Sequence, residues 1–162
     1  MATIPILVRP PAATSQAVAW RWESETDILS GSYRVALPGE PAEAVELSSP
    51  EGAVIVLDVI GGEICGIDIV IWPDVETRVE LQAPASGLPG RILLLPSAEP
   101  RQFESDLSVE VDGLEQTFHL LVGPRRPVTT IAVADHLLIE VDDGDGLAGF
   151  WLTGVPPFPS EE

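Results

Sequence analysis

Lysine and asparagine are absent from the 162 residues, and there are only one cysteine and two histidines. A single cysteine excludes an internal disulfide. Cys65 stands inside the apolar run Ile64–Trp72, the setting of a buried thiol acting as a small hydrophobe rather than of a nucleophile. His119 and His136 lie far apart in the sequence, so zinc would need carboxylates to complete a site. With no G-x-S-x-G elbow the histidines belong to no triad motif, and no glycine cluster has the strand-to-helix setting of a phosphate loop. No run approaches the roughly 20 apolar residues of a membrane-spanning helix. The first residues, Met1–Pro11, carry no basic leader, and Pro5 interrupts Ile4–Val8, so neither a signal peptide nor an anchor is expected. The expectation is a cytoplasmic protein that is not an enzyme, with no catalytic, cofactor or metal residues.

Basic charge is nearly missing as well. Eight arginines face 26 acidic residues, for a net charge of −18. Phosphate backbones and anionic lipid are normally bound through a basic patch, so direct nucleic-acid and membrane binding are not expected. A basic protein partner is favoured, with association that salt slows. The plainer role of the same charge is to keep a β-rich chain soluble and to discourage pairing between sheet edges. Loss of both residue types with A-rich codons, beside abundant Ala, Gly, Pro and Arg, points to a GC-rich bacterial genome.

What is present is a phrase said twice. Gly52–Pro73 and Asp135–Pro156 each run from apolar residues through a Gly/Asp-rich turn to an aliphatic residue, a small residue, a glycine and a second apolar run ending in proline. An offset of 83 residues superposes Gly66 on Gly149 and Pro73 on Pro156, which argues for two copies of one β unit. A hydrophobic content of 45% suffices for a core. Short Val/Ile/Leu runs bounded by Gly, Pro or Asp, and the alternating Thr77–Leu81 and Leu107–Val111, predict strands. Helix is expected nowhere except for one turn in Pro41–Leu47. The fold expected is all-β, about ten antiparallel strands in two related halves, a sandwich or partly closed barrel. Residues 1–162 form one compact domain of two repeats, about 14–96 and 101–158, divided at Pro96–Pro100.

Turn chemistry places hairpins at Gly61-Gly62, at Asp112-Gly113 and, in longer form, at Asp142–Gly146. The repeat extends upstream if Trp22–Ser30 matches Phe103–Ser108. On these residues the chain resembles a group of short bacterial β proteins of unknown function. Their pattern is an aromatic-acidic-Asp-aliphatic strand followed by an Asp-x-x-Gly-x-aliphatic-x-Gly-Ile-Glu-Ile hairpin. Glu25–Leu29 matches the strand and Gly66–Ile69 the end of the hairpin, whereas Gly149–Leu152 loses the acidic position. The resemblance covers about half the chain and implies a fold, not a chemistry.

The remaining candidates are few. Counted from Asp143 as a calcium loop, the sixth position is Ala148 and the twelfth Gly154, which fails the glycine and glutamate requirements. Asp142, Asp143 and Asp145 are therefore turn residues, or an acidic contact surface. Asp58 and Asp68 flank the Gly61-Gly62 turn, and a two-residue loop sends them to opposite faces, a result that reverses if one residue is added. His119, opposite in face to Phe118 and Leu120, is expected to be exposed or half-exposed. Trp20 and Trp22 share a strand face; if it meets solvent they mark a partner-binding or self-association surface, and otherwise they are core. Phe158, in the extended Val155–Pro159 segment, is expected to pack back onto a sheet or a neighbouring subunit.

The leading functional expectation is a non-enzymatic acidic protein that binds a basic protein, in the manner of an inhibitor or immunity partner. The alternatives are a ligand-binding or hydrolytic protein with a carboxylate-lined cleft between the repeats, and a structural homo-oligomer.

Overall fold

The computed structural model describes residues 4–12, 16–23, 25–85, 87–95 and 102–158. Among them the chain is all-β, with fifteen strands and no helix. In chain order these are β1 Ile6–Arg9, β2 Arg21–Trp22, β3 Leu29–Ser32, β4 Ala42–Ser48, β5 Val54–Ile60, β6 Glu63–Ile71, β7 Val75–Thr77 and β8 Leu88–Pro89. The rest are β9 Arg91–Leu94, β10 Gln102–Glu104, β11 Leu107–Val111, β12 Phe118–Val122, β13 Val128–Ala134, β14 Leu137–Asp142 and β15 Leu147–Leu152.

The strands form two sheets around one core. In the first, β2-β3-β6-β5-β4 run antiparallel in that order, β10 adds to β4 in parallel, and the β1–β9 pair joins at β6. In the second, β11-β12-β15-β14-β13 repeat the antiparallel order, β8 adds to β13 in parallel, and β7 lies parallel to β11. The strand number exceeds the expected ten because several edge pieces are only two to four residues long, and three of these edges pair in parallel. Those short edges are exchanged. β7 and β8 precede Pro96–Pro100 yet belong to the second sheet, and β10 follows it yet belongs to the first. Pro96–Pro100 itself lies outside the described residues.

Alternation places the core. In β5, Ile55 and Leu57 are fully buried, while Val54, Val56 and Asp58 point to the other face and are half-buried. Ile67, Ile69, Leu120, Ile139, Phe150 and Leu152 complete the same interior from both sheets. Each such side chain contributes roughly 1.5–3 kcal/mol by leaving water.

Both long hairpins share one irregularity. The β5–β6 turn is the expected two-residue Gly61-Gly62 loop, with φ of 59° and 87°. A bulge then follows between Asp58 and Val59, and β14–β15 carries its bulge between Glu140 and Val141. On the strand side of each bulge a carboxylate faces a glycine, Asp58 opposite Gly66 and Glu140 opposite Gly149.

Several sequence expectations change. Pro41–Leu47 is not a helical turn: Ala42–Ser48 is β4, because Val45 and Leu47 alternate into the core. The Asp112-Gly113 hairpin is longer than two residues. Asp112 accepts at Oδ1 from the amides of Gln116 and Thr117, and the positive φ of 57° falls on Glu115. Trp22–Ser30 and Phe103–Ser108 hold different places in the sheets. Leu29 pairs with the β5–β6 hairpin in β3, whereas Phe103 lies in the parallel edge β10 and Leu107 pairs with β12.

Candidate functional site

The outer face of each sheet carries polar groups at matching register positions, and the two faces solve the resulting charge problem differently. On the second sheet, β11, β12 and β15 set Glu110, His119 and Trp151 in one row across the strands. Glu140 on β14 belongs to the adjacent row, opposite Gly149. Because Gly149 has no side chain, Glu140 crosses over it: a Cβ there would stand 2.5 Å from Glu140 Oε1 and 2.6 Å from the Leu120 carbonyl oxygen. Glu140 Oε1 thereby reaches His119 Nε2 at 2.7 Å, and Glu110 Oε1 lies 3.3 Å from Nδ1. Trp151 donates its indole N–H to Glu140 Oε2 at 3.2 Å and stacks on the imidazole, centroids 3.9 Å apart.

This row is buried although it lies on the outer face: Glu110, His119, Glu140 and Trp151 are 4, 5, 6 and 7% exposed. The expectation of an exposed His119 had the face right and the burial wrong. Glutamates on flanking strands, the Trp151 ring and the following arginines cover the imidazole. Arg125 approaches Glu110 Oε2 to 2.6 Å, and Arg78 pairs with the same carboxylate. Burial opposes ionisation of Glu110, but the Arg125 guanidinium, His119 and Arg78 outweigh it and hold the carboxyl below its usual range. Beside the row lies a cavity of about 230 Å³ lined by His119, Glu140, Arg125 and Arg126. Arg126 is committed to Asp142 Oδ2 at 2.8 Å and to the carbonyls of Val122 and Leu147. Both imidazole nitrogens are engaged by carboxylates, which accept and do not donate when ionised. The ring therefore bridges two buried carboxyl groups, and both its nitrogens are engaged within the chain.

On the first sheet the corresponding row is Arg21, Ser30 and Asp68, with Asp58 opposite Gly66. Asp58 and Asp68 share this outer face. The bulge after Asp58 inserts the one residue that reverses the parity of a two-residue hairpin, which overturns their expected separation. A cavity of about 600 Å³ opens over them, lined by Arg21, Glu23, Ser30, Ser32, Asp58 and Asp68. Burial and then the Asp68 charge push the Asp58 carboxyl up. Burial also pushes Asp68 up; the Ser30 hydroxyl and Arg21 pull against it, and the Glu23 charge adds to it. Among the described residues no hydrogen bond or ion pair reaches the Asp58 carboxylate. A second cavity, about 370 Å³, adjoins the first and shares Ser32 and Asp58 with it.

A third buried carboxylate is structural. Glu63 accepts the Tyr33 hydroxyl and lies 3.4 Å from Arg91. Its neighbour Cys65 is fully buried, and burial pushes the thiol up to about 11, so it is held as the unreactive thiol.

Trp20 and Trp22 do share a face, the inner one. Trp20 is 6% exposed, covers Gly31 and donates to the His136 carbonyl at 3.2 Å. Trp22 is half-buried, stacks on Trp72 at 5.7 Å and meets Phe158 edge-on at 5.0 Å, so Phe158 packs back onto the sheets. Asp142 ends β14 and closes the turn that follows. Its Oδ1 accepts from the amides of Gly144 and Gly146, and it pairs with Arg126. Asp143 and Asp145 are exposed at the hairpin tip. The tryptophans belong to the first sheet and the aspartates to a hairpin of the second, and Trp20, though buried, is among the residues lining the cavity over Asp58 and Asp68. Residues of both sheets line a cavity of about 210 Å³ that includes Tyr33, Arg91 and Asp135, and Asp135 is the one carboxylate among the described residues that line it. Sequence reasoning missed the cluster of Glu110, His119 and Glu140; its only local signal is the placement of each residue at a non-core position of an alternating strand.

No protein-family model and no curated protein matches the chain.

Proposed function

We propose that this protein acts without catalysis, as an acidic cytoplasmic bacterial protein that binds and neutralises a basic protein. The observation that carries this reading is the use made of arginine. Arg34 pairs with Glu40, Arg78 and Arg125 with Glu110, Arg91 with Glu63, and Arg126 with Asp142. Five of eight basic residues are thus committed to the chain's own carboxylates. The acidic excess is left to solvent, where it steers a cationic partner. The engaged imidazole of His119 and the unreactive thiol of Cys65 support a binding role over a catalytic one. Within this reading the matching strand orders of the two sheets descend from one duplicated β unit.

The test starts from the immobilised chain and a lysate of the source cell. A recovered protein is purified and its association rate is measured against salt. A basic partner is expected, with a rate that falls at least tenfold between about 0.05 and 0.5 M salt, as the screening length shrinks from above 10 Å to a few ångströms. A partner of neutral or acidic charge, or a rate indifferent to salt, overturns the reading.

A further inference from the structure

We infer that the outer face of the first sheet is the docking surface, and that it receives an arginine side chain of the basic partner between Asp58 and Asp68. This rests on the reading above and assigns its contact. The comparison lies within the molecule. The strand order β2-β3-β6-β5-β4 matches β11-β12-β15-β14-β13. Asp58 and Glu140 each face a glycine beside a bulge, and Ser30 stands at the register position of His119. On the second sheet a nitrogen-donor ring fills that position and bridges Glu110 and Glu140. On the first sheet the position holds a small hydroxyl, and the space the ring would take is part of the 600 Å³ cavity over two carboxylates. Asp68 has the Ser30 hydroxyl and Arg21 beside it, but among the described residues no donor reaches Asp58, and that missing donor is what the partner brings.

Charge and shape define the occupant. Asp58, Asp68 and Glu23 face one cation, Arg21, around the cavity, and the whole chain carries −18. A guanidinium presents its donors in a planar fork, matching two carboxylates flanked by the Ser30 and Ser32 hydroxyls. The adjoining 370 Å³ cavity continues past Asp58 along Val35, Ala36, Ala42 and Ala44. It gives the apolar residues next to that arginine a wall to lie on.

The test is an amide chemical-shift titration with acetyl-Ala-Arg-Ala-amide at low salt, beside its citrulline analogue, which keeps the shape and loses the charge. Saturable shifts are expected at Ser30, Gly31, Ser32, Gly66 and Asp68. The citrulline peptide is expected to bind at least tenfold more weakly, as are Asp58→Asn and Asp68→Asn. A Ser30→His variant, which supplies the ring internally, is expected to lose the peptide while its remaining amide spectrum stays folded. Shifts scattered over the acidic surface, or centred on Asp142–Gly146, overturn this inference and leave the basic-partner reading standing. Binding at the groove together with a cellular partner indifferent to salt does the reverse. Equal binding by the citrulline peptide, or no saturable shift anywhere, overturns the docking surface outright.

Discussion

Asp58 and His119 show how one side chain's surroundings set its role. Asp58 is half-buried, has no cation partner among the described residues and stands beside Asp68, so its native carboxyl gives up its proton less readily than in the unfolded chain. Between the ordinary aspartate value of about 3.9 and its raised native value, the native state holds more protons than the unfolded one. Asp58 therefore costs stability that grows as pH rises through that window. Asp58→Asn is expected to raise the urea midpoint at pH 7, with the gain shrinking as pH falls and vanishing only well below the ordinary aspartate value of about 3.9. A gain that does not shrink as pH falls, or a loss at pH 7, would sink this account. Glu110 and Asp142 have the opposite sign: their carboxyls are held low, and their contribution is lost as pH falls through the native values. The face of His119 was readable from the alternation of Phe118, His119 and Leu120. Its burial was not, because the groups that cover it come from Glu110 and Glu140, 9 and 21 residues away along the chain.

Hairpins and their bulges explain most of the difference between pattern and structure. Gly61-Gly62 was legible because a two-residue hairpin needs two positive φ values, which glycine adopts at no steric cost. The bulge beside it was not, since Cys65, the extra residue that β6 sets opposite Asp58-Val59, has nothing in its sequence to distinguish it from regular strand. One inserted residue then moved Asp58 to the face of Asp68. Pro41–Leu47 became a strand because Val45 and Leu47 complete the core beside β5, a tertiary gain that outweighs the helical preference of Ala and Glu. The glycine opposite each bulged carboxylate is the element's sensitive point. Gly149→Ala puts a Cβ 2.6 Å from the Leu120 carbonyl oxygen and 2.5 Å from Glu140 Oε1, so strand backbone must move as well as a side chain. A loss of about 1–3 kcal/mol is expected in urea unfolding, together with a change in the ring signals of His119 as Glu140 is pushed away. An alanine variant as stable as the parent would show that the close approach carries no constraint.

The two sheets make one body because they exchange edges and share an interior. β7 and β8 from the first half complete the second sheet, β10 from the second half completes the first, and β1 joins both. The Ile6 amide donates to Asp145 O while β1 pairs with β9. Independent folding of the halves would leave each with an unfinished edge and an exposed apolar face. Calorimetry is expected to show one transition with equal calorimetric and van't Hoff enthalpies. Two separable transitions would mean that the exchanged edges contribute little.

Composition and local pattern were enough for the all-β class, the tight glycine turn, the buried thiol and the acidic excess. Each depends on residue type or on neighbours a few positions apart, where period-two alternation and turn chemistry act. Which carboxylates stand together depended on register across strands from distant parts of the chain, and a single bulge reverses that register without a local signal. The same long-range pairing filled one sheet's outer face with His119 and left the corresponding place on the other open at Ser30.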